Sequence, residues 1–349
     1  MTRQCVRDSV DSDVRCPRAS HEDGMSTAND ALLARIGAVR AMAPKIQLIA
    51  NAAAAPRMAD VALAVGARPI MGCTTVEETV EVRGKTDGCV LNFGTPTTEA
   101  IAEAVEVDEI NLGAGNGGRV ERVLVMDPVG CGLESRGRRA RKWIEGLRAR
   151  ARVGGVDGVD AGRGRVFGYV IKGNPSEIEA LLRLTVDSSE MKTKTTTTTT
   201  RVSVGASVSC TAESSVVDGH GVGTGEKKVG HIFDALQRLC EVTGCLAVVM
   251  TGKTDYVYTF RGERWSSDEN SCEALEKWTG AGCALGVVVA AFIAANGDDL
   301  FSALQAACQW YRRVARRCAD EFSELGPFSF QARFFDELYR ESCAYGSQV

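Results

Sequence analysis

The stretch with the most chemical potential is Thr279-Gly280-Ala281-Gly282-Cys283-Ala284-Leu285, which runs directly into Gly286-Val287-Val288-Val289-Ala290-Ala291-Phe292. Small residues, a thiol and then a segment that is apolar on every side describe a tight turn opening into a buried helix. The first turn of such a helix leaves backbone N–H groups without intrahelical partners. With the positive end of the helix dipole, those donors form a site for an anion such as a phosphate. Cys283 would stand beside it. The same pattern also serves a helix that begins on glycines only to pack closely, and short glycine motifs often match by chance.

Further polar residues gather just after β-rich runs. They occur in Leu91-Asn92-Phe93-Gly94-Thr95, in Asp127-Pro128-Val129-Gly130, in Lys172-Gly173-Asn174-Pro175-Ser176-Glu177 and in Thr251-Gly252-Lys253-Thr254-Asp255. Asp127 and Glu177 are carboxylates of the kind magnesium uses, with water and substrate phosphates completing its shell. Glu177 also suits a helix start, where a negative charge favours the dipole without any metal. Lys172 can meet a phosphate as a point charge. Thr251 can donate its hydroxyl to a phosphate or simply close a turn. Two other motifs fail on context. Gly113-Ala114-Gly115-Asn116-Gly117-Gly118 precedes a strand candidate instead of linking strand to helix, and Gly252-Lys253-Thr254 lacks the first glycine of a P-loop, where Ala247 stands.

The elements that must position these residues alternate in type. Strand candidates lie at 46–49, 89–93, 123–126, 166–171 and 246–250, and helix candidates at 58–65, 97–107, 138–150, 177–184, 228–242, 284–295 and 299–322. In the last of these, Leu300, Leu304, Ala307, Tyr311, Ala315 and Cys318 recur at helical spacing. Near-continuous apolar strands alternating with helices predict an α/β protein with a mostly parallel central sheet covered on both faces. Ligands of open α/β sheets bind outside the carboxyl ends of the strands, so the loops above converge on one edge. Residues 1–35 are expected to form a disordered extension, and 36–345 one domain with insertions near 151–165 and 187–225. The second insertion carries Thr195 to Thr200, a low-complexity tract with no expected catalytic part.

Composition narrows the function classes. The chain has 349 residues and a formal net charge of -4, which disfavours nucleic acid or an anionic membrane surface as the main partner. Its 13 cysteines are scattered without C-x-x-C spacing, and with only 3 histidines no zinc-site pattern forms. Reduced thiols in a cytoplasmic setting are the expectation. The longest apolar run is too short to span a bilayer, and the first residues lack the apolar centre of a secretory signal.

Taken in order, several pieces resemble the hydroxyethylthiazole kinases, a thiamine-salvage family of the ribokinase-like superfamily. They are Ala64-Val65-Gly66-Ala67-Arg68-Pro69-Ile70-Met71, Leu91-Asn92-Phe93-Gly94-Thr95, Asp127-Pro128-Val129-Gly130-Cys131-Gly132, Gly173-Asn174-Pro175-Ser176-Glu177-Ile178, Thr251-Gly252 with Asp255, Thr279 to Leu285, and Gly326-Pro327-Phe328-Ser329-Phe330. Cysteine after Gly-Ala-Gly is the telling feature, because most ribokinase-like kinases have aspartate there. The resemblance implies a ribokinase-like fold and ATP-dependent phosphorylation of the primary alcohol of 4-methyl-5-(2-hydroxyethyl)thiazole, with magnesium.

It further implies a division of the residues. Cys283 would lie at the reacting hydroxyl, with Gly280, Ala281 and Gly282 forming the catalytic turn. Met71, Gly280, Asn51 and Gly94 would meet the alcohol substrate, Lys172, Thr251 and Asn174 would meet ATP, and Asp127 and Glu177 would hold the metal. Cys283 would either accept the hydroxyl proton or orient the alcohol. The family also implies a homotrimer in which Met71 serves a neighbour's site. Gln47 stands where relatives carry His, and Lys172 where they carry Arg. Two alternatives remain: a related kinase acting on another small alcohol such as hydroxymethylpyrimidine, or a non-catalytic binding paralogue.

Overall fold

The computed structural model describes residues 27–71, 75–94, 123–153, 169–185, 225–267 and 272–346. The insertion candidates beyond residue 153, the helix candidate at 97–107, the Gly113 motif and the threonine tract lie outside the described residues.

In chain order the elements are α1 (Thr27–Met42), β1 (Lys45–Ile49), α2 (Ala55–Val65), β2 (Arg68–Ile70), α3 (Val76–Gly84), β3 (Gly88–Asn92), β4 (Val123–Asp127) and α4 (Glu134–Val153). There follow β5 (Tyr169–Gly173), α5 (Pro175–Thr185), α6 (Gly225–Thr243), β6 (Ala247–Met250), β7 (Tyr256–Thr259) and β8 (Arg264–Ser266). The chain then forms α7 (Glu273–Glu276), α8 (Ala281–Asn296), α9 (Leu300–Glu321) and α10 (Pro327–Gly346).

One 8-stranded sheet runs in the order β2-β1-β3-β4-β5-β6-β7-β8. Its strands are parallel from β2 through β6, and the β7–β8 hairpin adds an antiparallel edge. The expected α/β architecture with a mostly parallel sheet is thus the observed one.

Period-two alternation divides the strands between two cores. Val90, Val125, Val170 and Val249 face the core shared with α1, α2, α8, α9 and α10. Cys89, Leu91, Leu124, Met126, Tyr169, Ile171 and Val248 face the core shared with α4, α5 and α6. Helix α8 is buried almost throughout its length, which accounts for its lack of a polar face.

Two boundaries depart from expectation. Residues 27–35 are not a disordered extension: they begin α1, whose Leu32, Leu33, Ile36 and Val39 recur at helical spacing and are buried against the apolar core. Helix α4 continues to Val153, so the first insertion starts later than residue 151. Strand β2 and hairpin strand β8, of three residues each, were too short to stand out in the sequence.

Candidate active site

The alternation that sorts the core also builds the site. Asn92, Asp127 and Lys172 follow Val90, Val125 and Val170 by two positions, so all three side chains leave the sheet on the α8 face at its carboxyl edge. Asn92 and Asp127 are register partners at the ends of β3 and β4. The helix comes close to the strands here: a methyl added at Gly286 would lie 3.6 Å from Val90 Cγ1 and 3.8 Å from Lys172 Cδ.

At the start of α8, Gly280 is the N-cap in the left-handed region, with φ 97°, and has no side chain hydrogen-bonding as a cap. Its carbonyl accepts from Ala284 N at 2.8 Å, the first bond of the helix. The N–H groups of Ala281, Gly282 and Cys283 precede that bond and point outward along the axis.

The polar side chains form one connected cluster beneath this turn. Asn92 Nδ2 donates to Asp127 Oδ2 at 3.1 Å and to Cys283 Sγ at 3.1 Å. Asn92 Oδ1 accepts from Asn51 Nδ2 at 3.0 Å and from Gly94 N at 2.9 Å. Lys172 Nζ is 3.5 Å from Asp127 Oδ1, and the two side chains are 4% and 1% exposed. Nζ also lies 3.4 Å from where a Cβ on Gly282 would be, so the ammonium sits under the open turn. Gly94 cannot carry a side chain: its Cβ would fall 2.7 Å from Asn51 Nδ2 and 2.8 Å from Asn92 Oδ1.

The electrostatics follow from this packing. Burial opposes the charge on Lys172, but Asp127, with Cys283 and Glu177, outweighs it, and the ammonium is held above its ordinary range. Burial and Asp127 push the Cys283 thiol up to about 12, against smaller opposing effects of Lys172 and Asn92. Glu177 is raised by burial and by Asp127, with Lys172 working the other way.

Glu177 reads as a capping residue and as part of the site at once. Asn174 N donates to Glu177 Oε2 at 2.9 Å while Glu177 N donates to Asn174 Oδ1 at 2.9 Å, a reciprocal box at the start of α5. Gly130 N donates to Glu177 Oε1 at 3.2 Å, which ties the loop after β4 to the loop after β5. Asn174 is therefore committed to the cap. Thr251 directly follows β6, where its N–H donates to Gly173 O at 2.9 Å and its hydroxyl lies 3.5 Å from the same carbonyl. Gly252-Lys253-Thr254 leads to strand β7 and not to a helix, consistent with its rejection as a P-loop.

Thus the structure joins Cys283, Gly282, Lys172, Asp127, Asn51 and Gly94 around Asn92, with Gly280 and Ala281 opening the turn. Asn174 and Thr251, just after β5 and β6, and Glu177, in the first turn of α5, stand at the neighbouring strand ends. Met71 is not drawn in: it is 42% exposed at the free edge of the sheet, after β2.

Three supporting residues were not singled out as functional by sequence. Asn92 was visible only as part of its motif. Tyr311 OH donates to Ala281 O at 2.9 Å, and Arg312 is buried against the loop after β6. Tyr311 read as an apolar-stripe residue. The one available hint for Arg312 was Asp255, a carboxylate needing a partner.

A parallel sheet whose strand ends converge under a glycine-capped buried helix defines an α/β protein with a site at its carboxyl edge, the arrangement that the resemblance to ribokinase-like kinases implies. A solved structure described as hydroxyethylthiazole kinase protein from Pyrococcus horikoshii shares this fold, with a TM-score of 0.60 and 22% identity over 89% of this chain and 93% of that one. The chain belongs to the hydroxyethylthiazole kinase family, whose sequence profile matches residues 36–155 and 205–342. Lys172, Asn174 and Glu177 fall between those two segments. Among relatives, the hydroxyethylthiazole kinase of Shouchella clausii is 27% identical over 303 residues, 86% of this chain and 92% of that protein. Hydroxyethylthiazole kinase 2 of Clostridium botulinum is 28% identical over 305 residues, 86% and 90% of the two chains.

Proposed function

We propose that this chain transfers the γ-phosphoryl group of ATP to the primary hydroxyl of 4-methyl-5-(2-hydroxyethyl)thiazole. The observation that carries the reading is the convergence of a buried ammonium, Lys172, with the open first turn of α8. Two independent sources of positive potential meet at one point, and a neighbouring carboxylate and thiol face it. Family membership supplies the acceptor.

Phosphoryl transfer through a loose transition state asks the protein mainly for positioning and charge stabilisation. The N–H groups of Ala281, Gly282 and Cys283 would bind the equatorial oxygens of the transferring group, with Lys172 adding charge from below. Cys283 holds its proton at neutral pH, so its part is to orient the alcohol while it accepts from Asn92. Thr251, just after β6, faces the nucleotide side.

The donor set suits magnesium. Asp127 at the end of β4 and Glu177 in the first turn of α5 offer two carboxylates from neighbouring strand ends. Two carboxylates suit a cation that takes few protein ligands and fills its shell with water and phosphate oxygens. Bound there, magnesium supplies charge neutralisation to the phosphates.

No helix among the described residues is long and apolar enough to cross a membrane. The reaction is placed in the cytoplasm, supported by 9 described cysteines that are all free thiols. A homotrimer completes the reading, supported by Leu63 and Met71, which are 57% and 42% exposed on α2 and just after the adjacent edge strand. The test is ADP release with the thiazole alcohol and, in parallel, with hydroxymethylpyrimidine. Turnover with the thiazole alcohol and little with the pyrimidine is expected. The reverse preference assigns a different acceptor, and ligand-induced thermal stabilisation without ADP release assigns a binding paralogue.

A further inference from the structure

Two consecutive residues of α9 reach the two halves of the site. Tyr311 OH donates to the carbonyl of Ala281, in the first turn of α8, at 2.9 Å. Arg312 spreads its guanidinium over the loop after β6. Its Nη2 donates to Gly252 O at 2.8 Å, its Nη1 to Lys253 O at 2.9 Å and its Nε to Asp255 Oδ2 at 3.1 Å. Asp255 Oδ1 closes the ion pair with Nη2 at 2.5 Å and also accepts from Gly252 N at 3.1 Å. Both side chains are buried, Tyr311 at 3% and Arg312 at 6% exposed.

Burying a guanidinium is costly unless its donors are met, and here every nitrogen has a partner in the loop or on Asp255. The loop itself is short and has exposed glycine and lysine at positions 252 and 253. Neighbouring helix residues point about 100° apart, so one rigid helix can serve two targets at once.

From this geometry we infer that α9 is a brace, with Tyr311 and Arg312 as positioning residues: Tyr311 sets the phosphate-binding turn and Arg312 sets the loop that follows Thr251 on the nucleotide side. This rests on the proposed phosphotransfer reading for its kinetic consequences but not for its structural ones. The two substitutions therefore separate by kinetic parameter. Tyr311→Phe loosens the turn where charge develops, so kcat falls about 5- to 10-fold with the KM for ATP within about twofold of wild type. Arg312→Lys keeps a charge for Asp255 but cannot fork onto two carbonyls, so the KM for ATP rises about tenfold with a smaller change in kcat.

A structural readout accompanies the kinetics. Lys253 is exposed, and its peptide bond to Thr254 becomes a trypsin site when the loop is released. In protein without nucleotide, tryptic cleavage after Lys253 is expected to be about tenfold faster in Arg312→Lys than in wild type, with Tyr311→Phe cleaved at the wild-type rate. Unchanged cleavage in Arg312→Lys overturns the brace even if the enzyme is a kinase. Equal kcat and KM effects in both variants overturn it as well. Loss of the cooperative melt in Arg312→Lys, with cleavage throughout the chain, also contradicts a local role. If wild type transfers no phosphoryl group, the kinase reading fails and the cleavage pattern alone judges the loop anchor.

Discussion

At Cys283, a thiol pushed up to about 12 by burial and by Asp127 favours, within the proposed reading, orienting the alcohol over accepting its proton. Such a thiol stays protonated across the working range and cannot act as an efficient base. Cys283→Ala is therefore expected to lower kcat about tenfold without abolishing turnover, while Cys283→Asp remains active. Iodoacetamide should label Cys283 slowly between about pH 7 and 9, because the thiolate is the reactive form. Removing one cause of the shift by Asp127→Asn should speed that labelling; equal rates would show that the carboxylate does not bear on the thiol. The candidate residues were legible because their types are chemical, but their partners were not. Asn92, which joins Asn51, Asp127 and Cys283, is an amide whose importance comes only from where the strand ends.

Helix α8 shows what an element contributes beyond its residues. Gly280 adopts φ 97°, and a methyl there would meet Ala54 Cα at 3.6 Å, an ordinary contact. The cost of Gly280→Ala is thus conformational, about 1–2 kcal/mol for a left-handed residue with a side chain. Denaturant unfolding measures it, and kcat should fall with it because the turn is displaced. Gly286→Ala is the contrast. Its Cβ would sit 3.6–3.8 Å from Val90, Lys172 and Val125 in a regular helical turn, so it should be neutral or stabilise by up to about 0.5–1 kcal/mol. A similar loss in both variants would contradict the distinction. The element itself is well marked in sequence by small residues followed by an apolar run, and the apolar spacing from Leu300 to Cys318 marks the next; the Asp299 cap on Ser302 N emerges only in the structure. The short strands β2 and β8 carried too few residues to show a period.

Across the whole molecule, the sheet order and the two cores follow from strand alternation, yet closure depends on segments distant in sequence. Only residues 27–35 of helix α1 fall in the expected extension, because its first residues are polar; yet Leu32 and Leu33 there are buried against the apolar core, as are Ile36 and Val39 further along. Ile36→Ala is expected to cost about 2–5 kcal/mol by leaving a cavity; a loss below about 0.5 kcal/mol would show that α1 does not complete the fold. The site likewise depends on closure, since Lys172 and the start of α8 are over a hundred residues apart yet nearly in contact. That convergence is the central claim, and Lys172→Met tests it. In a single turnover with ATP labelled at the γ-phosphate, wild type should place label on the thiazole alcohol. Lys172→Met, still folded and binding ATP, should do so about 100- to 1000-fold more slowly, as for loss of one transition-state donor. Label transfer by Lys172→Met at the wild-type rate would contradict the account.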